Sequence, residues 1–213
     1  MEAAIGKLDP ALQLIILMAS LSLIPFIVVG MTSFLRYIIV LSILKTALGT
    51  QQVPPAVVLV GMALIMTFYT MSPVFSEMYQ RATPIINQKG NVVQVFQAGS
   101  EPLKEFMMRQ TRQSDIAFFV ELNRNTAPDS PKDLSIWEVA PAFMISELRT
   151  AFEIGFVVFI PFVVLDLVVS NILLALGMMM LSPTIISLPF KILIFVAVDG
   201  WSLIVNGLVQ SFN

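Results

Sequence analysis

The chain has no cysteine and no histidine. Without cysteine, neither a disulfide framework nor a thiolate site can form. Without histidine, the commonest metal ligand and the commonest acid–base catalyst are both missing, which argues against those chemistries. Charge is scarce as well. Asp, Glu, Lys and Arg make up 12% of the 213 residues and hydrophobic residues 57%, whereas a soluble domain carries roughly 25% charged residues. Too little polar material is left to cover a water-facing surface. The net charge of −2 and the lack of a basic patch give no sign of a nucleic-acid partner. Phosphate-cradling glycine patterns are missing too: neither Gly-x-x-x-x-Gly-Lys nor Gly-x-Gly-x-x-Gly occurs, so no nucleotide or other cofactor is expected.

The few charges are unevenly placed. Of the 26 charged side chains, 15 fall between Glu77 and Glu138. No charge occurs between Asp9 and Arg36, between Lys45 and Glu77, or between Asp166 and Lys191. Each gap is long enough for a bilayer-spanning helix of about 20 residues. Residues 1–5 carry an acid and no basic cluster, and the apolar run after them shows no clear cleavage site, so a retained helix is expected there.

The patterning predicts an all-α chain of long, kinked apolar helices arranged as hairpins, in three stretches: 1–76, 77–136 and 137–213. Residues 11–48 are apolar with breaks at Pro25 and at 30–33, which reads as one kinked helix or two joined near Gly30. Arg36 and Lys45, nine residues apart, lie on opposite helix faces. Gly49 is a helix stop, and the next helix starts near Pro55 and runs to about Pro73. The polar stretch 77–136 reads as a small water-facing helical insertion. Ser100 is its expected N-cap, with Pro102 in the first turn. Leu103, Phe106 and Met107 form its apolar face, and residues 123–132 a loop. Pro141 is expected to open the next helix, and a last helix runs from about Ile185 to Phe212. Along that helix Asp199, Ser202, Asn206 and Gln210 fall within roughly 80° of one another. Such a stripe faces a water-filled space or another subunit.

Charges in apolar surroundings are costly and usually paired. Glu147, Asp166, Lys191 and Asp199 are the candidates, either as paired charges that specify packing or as an ion or proton path. Asp166 and Asp199 both lack the Gly-x-Gly-Asp setting of an intramembrane aspartyl protease. Gly177-Met178-Met179-Met180-Leu181-Ser182-Pro183 is the most unusual segment. Neighbouring helical residues point about 100° apart, so three adjacent methionines cannot share one helix face. In a turn they can act together, as packing or as a flexible seal, because thioether side chains adapt to varied surroundings.

Four stretches are similar to the FliP/SctR family, the export-gate subunit of flagellar and virulence-associated type III secretion systems. The first is Thr32-Ser33-Phe34 through Ala47-Leu48-Gly49 to Val53-Pro54-Pro55, and the second is Met71-Ser72-Pro73. The third runs from Pro141-Ala142-Phe143-Met144-Ile145-Ser146-Glu147-Leu148 through Gly155 and Pro161-Phe162 to Asp166-Leu167. The fourth runs from Leu176-Gly177-Met178-Met179-Met180 through Leu188-Pro189-Phe190-Lys191 to Asp199-Gly200-Trp201. Met108-Arg109-Gln110-Thr111-Arg112 looks flagellar and Ser170 to Gly177 more like the injectisome version; the balance leans flagellar.

The resemblance implies a non-enzymatic, pore-forming subunit that conducts unfolded protein substrates. It implies a homo-oligomer, ring-like or helical, joined by FliQ/SctS-like and FliR/SctT-like subunits and by FlhB/SctU-like and FlhA/SctV-like proteins. It places the assembly at the bacterial inner membrane and basal body, largely above the bilayer on the periplasmic side. By the same resemblance, Met178, Met179 and Met180 line the constriction that seals the closed pore. Glu147 and Lys191 match an intersubunit ion pair, and Asp166, Asp199 and Asn206 stand as buried polar packing residues. The alternatives are an ion- or proton-coupled transporter and a scaffold that does not line the gate.

Overall fold

The computed structural model describes residues 18, 22, 24–50, 52–87, 92–123 and 134–212. Most of the apolar run before residue 24 lies outside them, as does the loop expected over 123–132 beyond its first residue. Among the described residues there are eight helices and no strand: α1 Ile24–Met31, α2 Phe34–Ala47, α3 Ala56–Asn87, α4 Val92–Gln110, α5 Gln113–Asn123, α6 Ile136–Ala175, α7 Pro183–Ala197 and α8 Gly200–Gln210. The expected all-α class is what the chain adopts. It divides into two compact units. One takes the chain up to Ser33 and Phe68–Glu147, the other Phe34–Thr67 and Leu148–Asn213.

In the first unit the helices are longer than proline positions suggested. α3 continues through Pro73 and Pro84 instead of ending near Pro73. A proline inside a helix removes one backbone bond and costs about 3 kcal/mol in isolation, but apolar helices packed among neighbours tolerate it. α4 begins at Val92, so Ser100 is not its N-cap and Pro102 lies in its interior. The Ser100 hydroxyl turns back to the Gln97 carbonyl, 3.1 Å away. What holds this part helical is packing: Pro102, Leu103, Phe106 and Met107 are all buried, and the Phe106 ring meets Phe143 of α6 edge-on at 5.9 Å.

α6 starts five residues before Pro141. Its start is a capping box, in which the Ser135 hydroxyl accepts from the Trp137 N–H at 3.3 Å. The Glu138 carboxylate accepts from the Ser135 N–H at 2.8 Å. Two otherwise unpaired donors are satisfied by a Ser-x-x-Glu sequence, a signal present in the chain and overlooked in favour of the proline. On the water-facing side, Arg81 of α3 bonds Glu77 and reaches Glu105 of α4 at 3.3 Å.

In the second unit α2 is the central buried element. Tyr37, Leu41, Leu44 and Leu48 recur every three or four residues and are 5% exposed or less, the stripe that a buried helix face requires. Leu44, Ala47 and Leu48 pack with Phe162 of α6 and Phe195 of α7. Each of the leucine and phenylalanine side chains contributes roughly 1.5–3 kcal/mol on full burial. Arg36 is also buried. Its guanidinium donates to the Ser211 carbonyl at 2.7 Å and to the Ser211 hydroxyl at 2.8 Å, and lies 3.7 Å over the Phe212 ring. A cation placed at the last carbonyls of α8 complements the negative end of that helix.

The expected single helix over 185–212 is broken. α7 begins at Pro183, and α7 and α8 meet at 65°. Asp199 adopts φ 52°, ψ 50°, a left-handed conformation that Asp tolerates better than most residues. Asp-Gly is a turn signal, and it marks this break. Gly200 is required for space: a Cβ there would sit 2.3 Å from the Phe195 ring. That ring in turn stacks edge-on against Trp201 at 5.3 Å. Replacing Gly200→Ala is therefore expected to overpack the bend and cost about 1–3 kcal/mol, seen as earlier thermal unfolding by circular dichroism in detergent. Adding Phe195→Leu should recover part of the loss, and no recovery would place the strain elsewhere.

Candidate functional site: a methionine tip on a clamped hairpin

α6 ends in a Schellman turn. Gly177 takes φ +73°; its N–H bonds the Leu174 carbonyl at 3.0 Å and the Met178 N–H bonds the Leu173 carbonyl at 2.9 Å. These are the two bonds that close the motif, and the left-handed residue at its centre is normally glycine. Ser182 then turns extended, and Pro183 sits in the first turn of α7, where its missing N–H costs nothing. The residues between, Met178, Met179 and Met180, are 48%, 78% and 100% exposed. The turn expected for the triplet is the turn observed.

Below this turn α6 and α7 run antiparallel in a defined register. The Phe162 and Phe195 rings are 6.3 Å apart, and the Asp166 carboxylate lies 2.7 Å from the Lys191 ammonium. Both contacts are equidistant along the chain from the Met178–Met179 bond. The methionines are therefore the tip of the hairpin, and the register that puts them there is set by one aromatic pair and one ion pair.

The ion pair is part of a larger node. The Ser187 hydroxyl, fully buried, donates to the other Asp166 oxygen. The Lys191 ammonium, 2% exposed at the residue level, also donates to the carbonyl of Ala47 at 3.2 Å. Ala47 is the last residue of α2, where helix carbonyls lack partners and the dipole is negative. One cation thus joins α2, α6 and α7. The Asp166 side chain remains one-third exposed, so solvent screens part of the attraction.

The sequence-predicted residues are distributed unevenly around this node. Asp166 and Lys191 meet, and Asp166 is the acid that Lys191 meets within the chain, a pairing that the resemblance did not supply. Glu147 is completely buried in the first unit, whereas Lys191 belongs to the second; a Glu147–Lys191 contact between subunits concerns a second copy. Asp199 and Asn206, expected to be buried, are exposed on this chain, because the break leaves Asp199 at the helix start. Asn206 accepts from the Gln210 side chain at 3.0 Å. Any burial of these two must come from a neighbouring molecule. Ser187 was missed, although its place four residues before Lys191 puts both on one face of α7. Among the described residues no three His, Cys, Asp or Glu side chains converge as metal ligands would.

The node generates an asymmetric prediction. Replacing Lys191→Met should cost about 2–4 kcal/mol, because it strips Asp166 of its cation and Ala47 of its donor. Exchanging the charges, Asp166→Lys with Lys191→Asp, should not restore stability, since a carboxylate cannot donate to the Ala47 carbonyl. Thermal unfolding of the three proteins checks this; recovery in the exchanged protein would mean the pair alone matters.

Comparison with known proteins places the chain in a family. Residues 17–208 match the FliP family. The chain is 49% identical over 207 residues to the flagellar biosynthetic protein FliP of Bacillus subtilis (strain 168), covering 97% of this chain and 94% of that one. It is 47% identical over 209 residues to the flagellar biosynthetic protein FliP of Caulobacter vibrioides, covering 98% and 79%. It is also 47% identical over 203 residues to that of Pectobacterium carotovorum, covering 95% and 79%. The matched span includes both long helices, the methionine tip and the node beneath it, and the chain belongs to the FliP family.

Proposed function

We propose that this chain is a pore-lining subunit of a flagellar protein-export gate, and that its methionine tip is the seal. Several copies bring their tips to a common axis, close it against small ions, and part around a passing unfolded chain. The observation that carries this reading is the exposure of Met178, Met179 and Met180 at the outermost point of a register-locked hairpin. Apolar side chains so placed have no structural use within the chain, and adaptable thioethers suit a closure that must fit varied contents.

The remaining surface supports assembly. Two helices, Ala56–Asn87 and Ile136–Ala175, are long and apolar enough to cross a membrane. Only 17% of the most apolar window of the second is buried within the chain. Lipid or other subunits must cover the rest, since water-exposed apolar patches of that extent mark interaction surfaces. We take the cover to be further copies of this chain with FliQ/SctS-like, FliR/SctT-like, FlhB/SctU-like and FlhA/SctV-like proteins. The assembly belongs to the bacterial inner membrane, with its bulk on the periplasmic side. It works by steric closure, without catalysis. A coupled transporter would need acids able to exchange partners during transport. Asp166 instead holds a cation and a hydroxyl in a node that sets helix register.

The triple replacement of Met178, Met179 and Met180 by Ala tests the seal. Ion leakage through the purified assembly in liposomes should rise well above the parent value, with the mass of the complex unchanged. Parent-level leakage from an intact complex would place the seal elsewhere.

A further inference from the structure

We infer that the bend between α7 and α8 is a hinge latched by Arg36 of α2, and that releasing the latch lets the two helices straighten into one. The hinge is internal to the second unit and independent of the sealing role proposed for the tip. Its parts are buried side chains and backbone angles, which do not depend on what an assembly leaves exposed.

The first observation is that one residue separates the bent form from a continuous helix. The Val198 N–H still bonds the Ile194 carbonyl at 3.1 Å, and the Leu203 N–H bonds the Asp199 carbonyl at 3.2 Å. Helical bonding therefore reaches the break from both sides. Val198, at φ −92°, ψ 7°, stays near helical geometry, and Gly200 already belongs to α8. Asp199 lies elsewhere, at φ 52°, ψ 50°. Among the described residues it is the one non-glycine with positive φ, and its side chain makes no capping bond to offset the strain. Strained backbone of this kind persists only where the surrounding structure holds it, and it gathers at switch points. Turning this residue to right-handed angles makes α7 and α8 a single helix, and the two pass together as one apolar span. No proline stands between Lys191 and Phe212 to forbid it.

The second observation is what holds the bend. Inside it the Phe195 and Trp201 rings meet edge-on at 5.3 Å. At the far end of α8, Arg36 donates to the Ser211 carbonyl and hydroxyl, and the neighbouring Tyr37 ring meets Phe212 at 5.3 Å. At the other end of α2, the Ala47 carbonyl holds Lys191 of α7. α2 thus braces the bent pair. Along a straight helix Lys191 and Ser211 would lie about 30 Å apart, against about 26 Å across a 65° bend. Arg36 and Ala47, fixed on one helix, cannot follow that gain, and hydrogen bonds of 2.7 and 3.2 Å cannot stretch by it. Lys191 is also bound to Asp166, so the Arg36 end is the one that lets go. In the straight form Asp199, Ser202, Asn206 and Gln210 share one face, within about 80°. A neighbour or a water-filled space that meets the whole stripe therefore favours the straight form over the bent one.

Pulsed electron resonance on the assembled full chain reads the angle, with labelled chains diluted among unlabelled ones and labels on cysteines introduced at Ile185 and Gln210. The backbone separation of these positions is about 32 Å when bent and about 37 Å when straight. The parent should give the shorter distance. Arg36→Gln should add a second peak about 5 Å longer. Asp199→Gly in that background should restore the shorter distance, because glycine takes left-handed angles without strain. Asp199→Ala leaves every latch contact in place and should also raise the longer peak, since alanine favours the helix and disfavours the left-handed turn. A parent distance in Arg36→Gln would overturn the inference. So would broadening without a longer peak, or a longer peak that Asp199→Gly does not reverse, because Arg36 would then act through general stability. If Arg36→Gln does not assemble, Asp199→Ala decides, and the parent distance there rules out the hinge.

Discussion

A buried ammonium is expensive unless every part of its environment answers it, and the second unit is organised around that requirement at Lys191. Its charge is met by Asp166 of α6 at 2.7 Å and by the unpaired terminal carbonyl of α2 at 3.2 Å. Ser187 fills the remaining position on Asp166. Apolar packing around Leu44, Phe162 and Phe195 supplies most of the burial energy, but greasy contacts alone permit slippage between helices. A charged pair does not, because a slip of one turn would leave the buried Lys191 ammonium without its partners. Register along α6 and α7 thus rests on the ion pair together with the Phe162–Phe195 contact, and the place of the methionine tip follows from it.

The long helices and the chain's apolar character were readable because they rest on composition and on gaps between charges, which survive any tertiary context. The methionine turn was readable because glycine before it and proline after it fix local backbone geometry. Helix boundaries were not, wherever proline was treated as decisive. Pro73, Pro102 and Pro141 all lie inside helices, held there by packing that a local rule does not weigh. Two boundary signals were nonetheless in plain sight: Ser135-x-x-Glu138 opening α6 and Asp199-Gly200 breaking the last helix. The stripe of Asp199, Ser202, Asn206 and Gln210 presupposes a continuous helix and meets that break at its first member.

The site shows the same division between local and distant information. Asp166 and Lys191 were both singled out as charges in apolar runs, yet only the fold joins them, since they are 25 residues apart. The Ala47 carbonyl could not have been found from side-chain chemistry at all. The family resemblance singled out the methionine segment and drew attention to Glu147 as the partner of Lys191. The geometry adds a partner within the chain, which gives Lys191 a task in the single chain: to hold the register of its hairpin.

Because the chain has no cysteine, the central claim can be measured with spin labels on introduced cysteines at Ile172 and Ile185. Both are exposed and lie equally far from the tip on opposite arms. In complexes where labelled chains are diluted among unlabelled ones, pulsed electron resonance reports the distance across one hairpin. The account predicts a narrow distribution in the parent and a broadened or displaced one after Asp166→Ala. A distribution that stays narrow and unmoved would contradict it, showing that apolar packing alone sets the register of the tip.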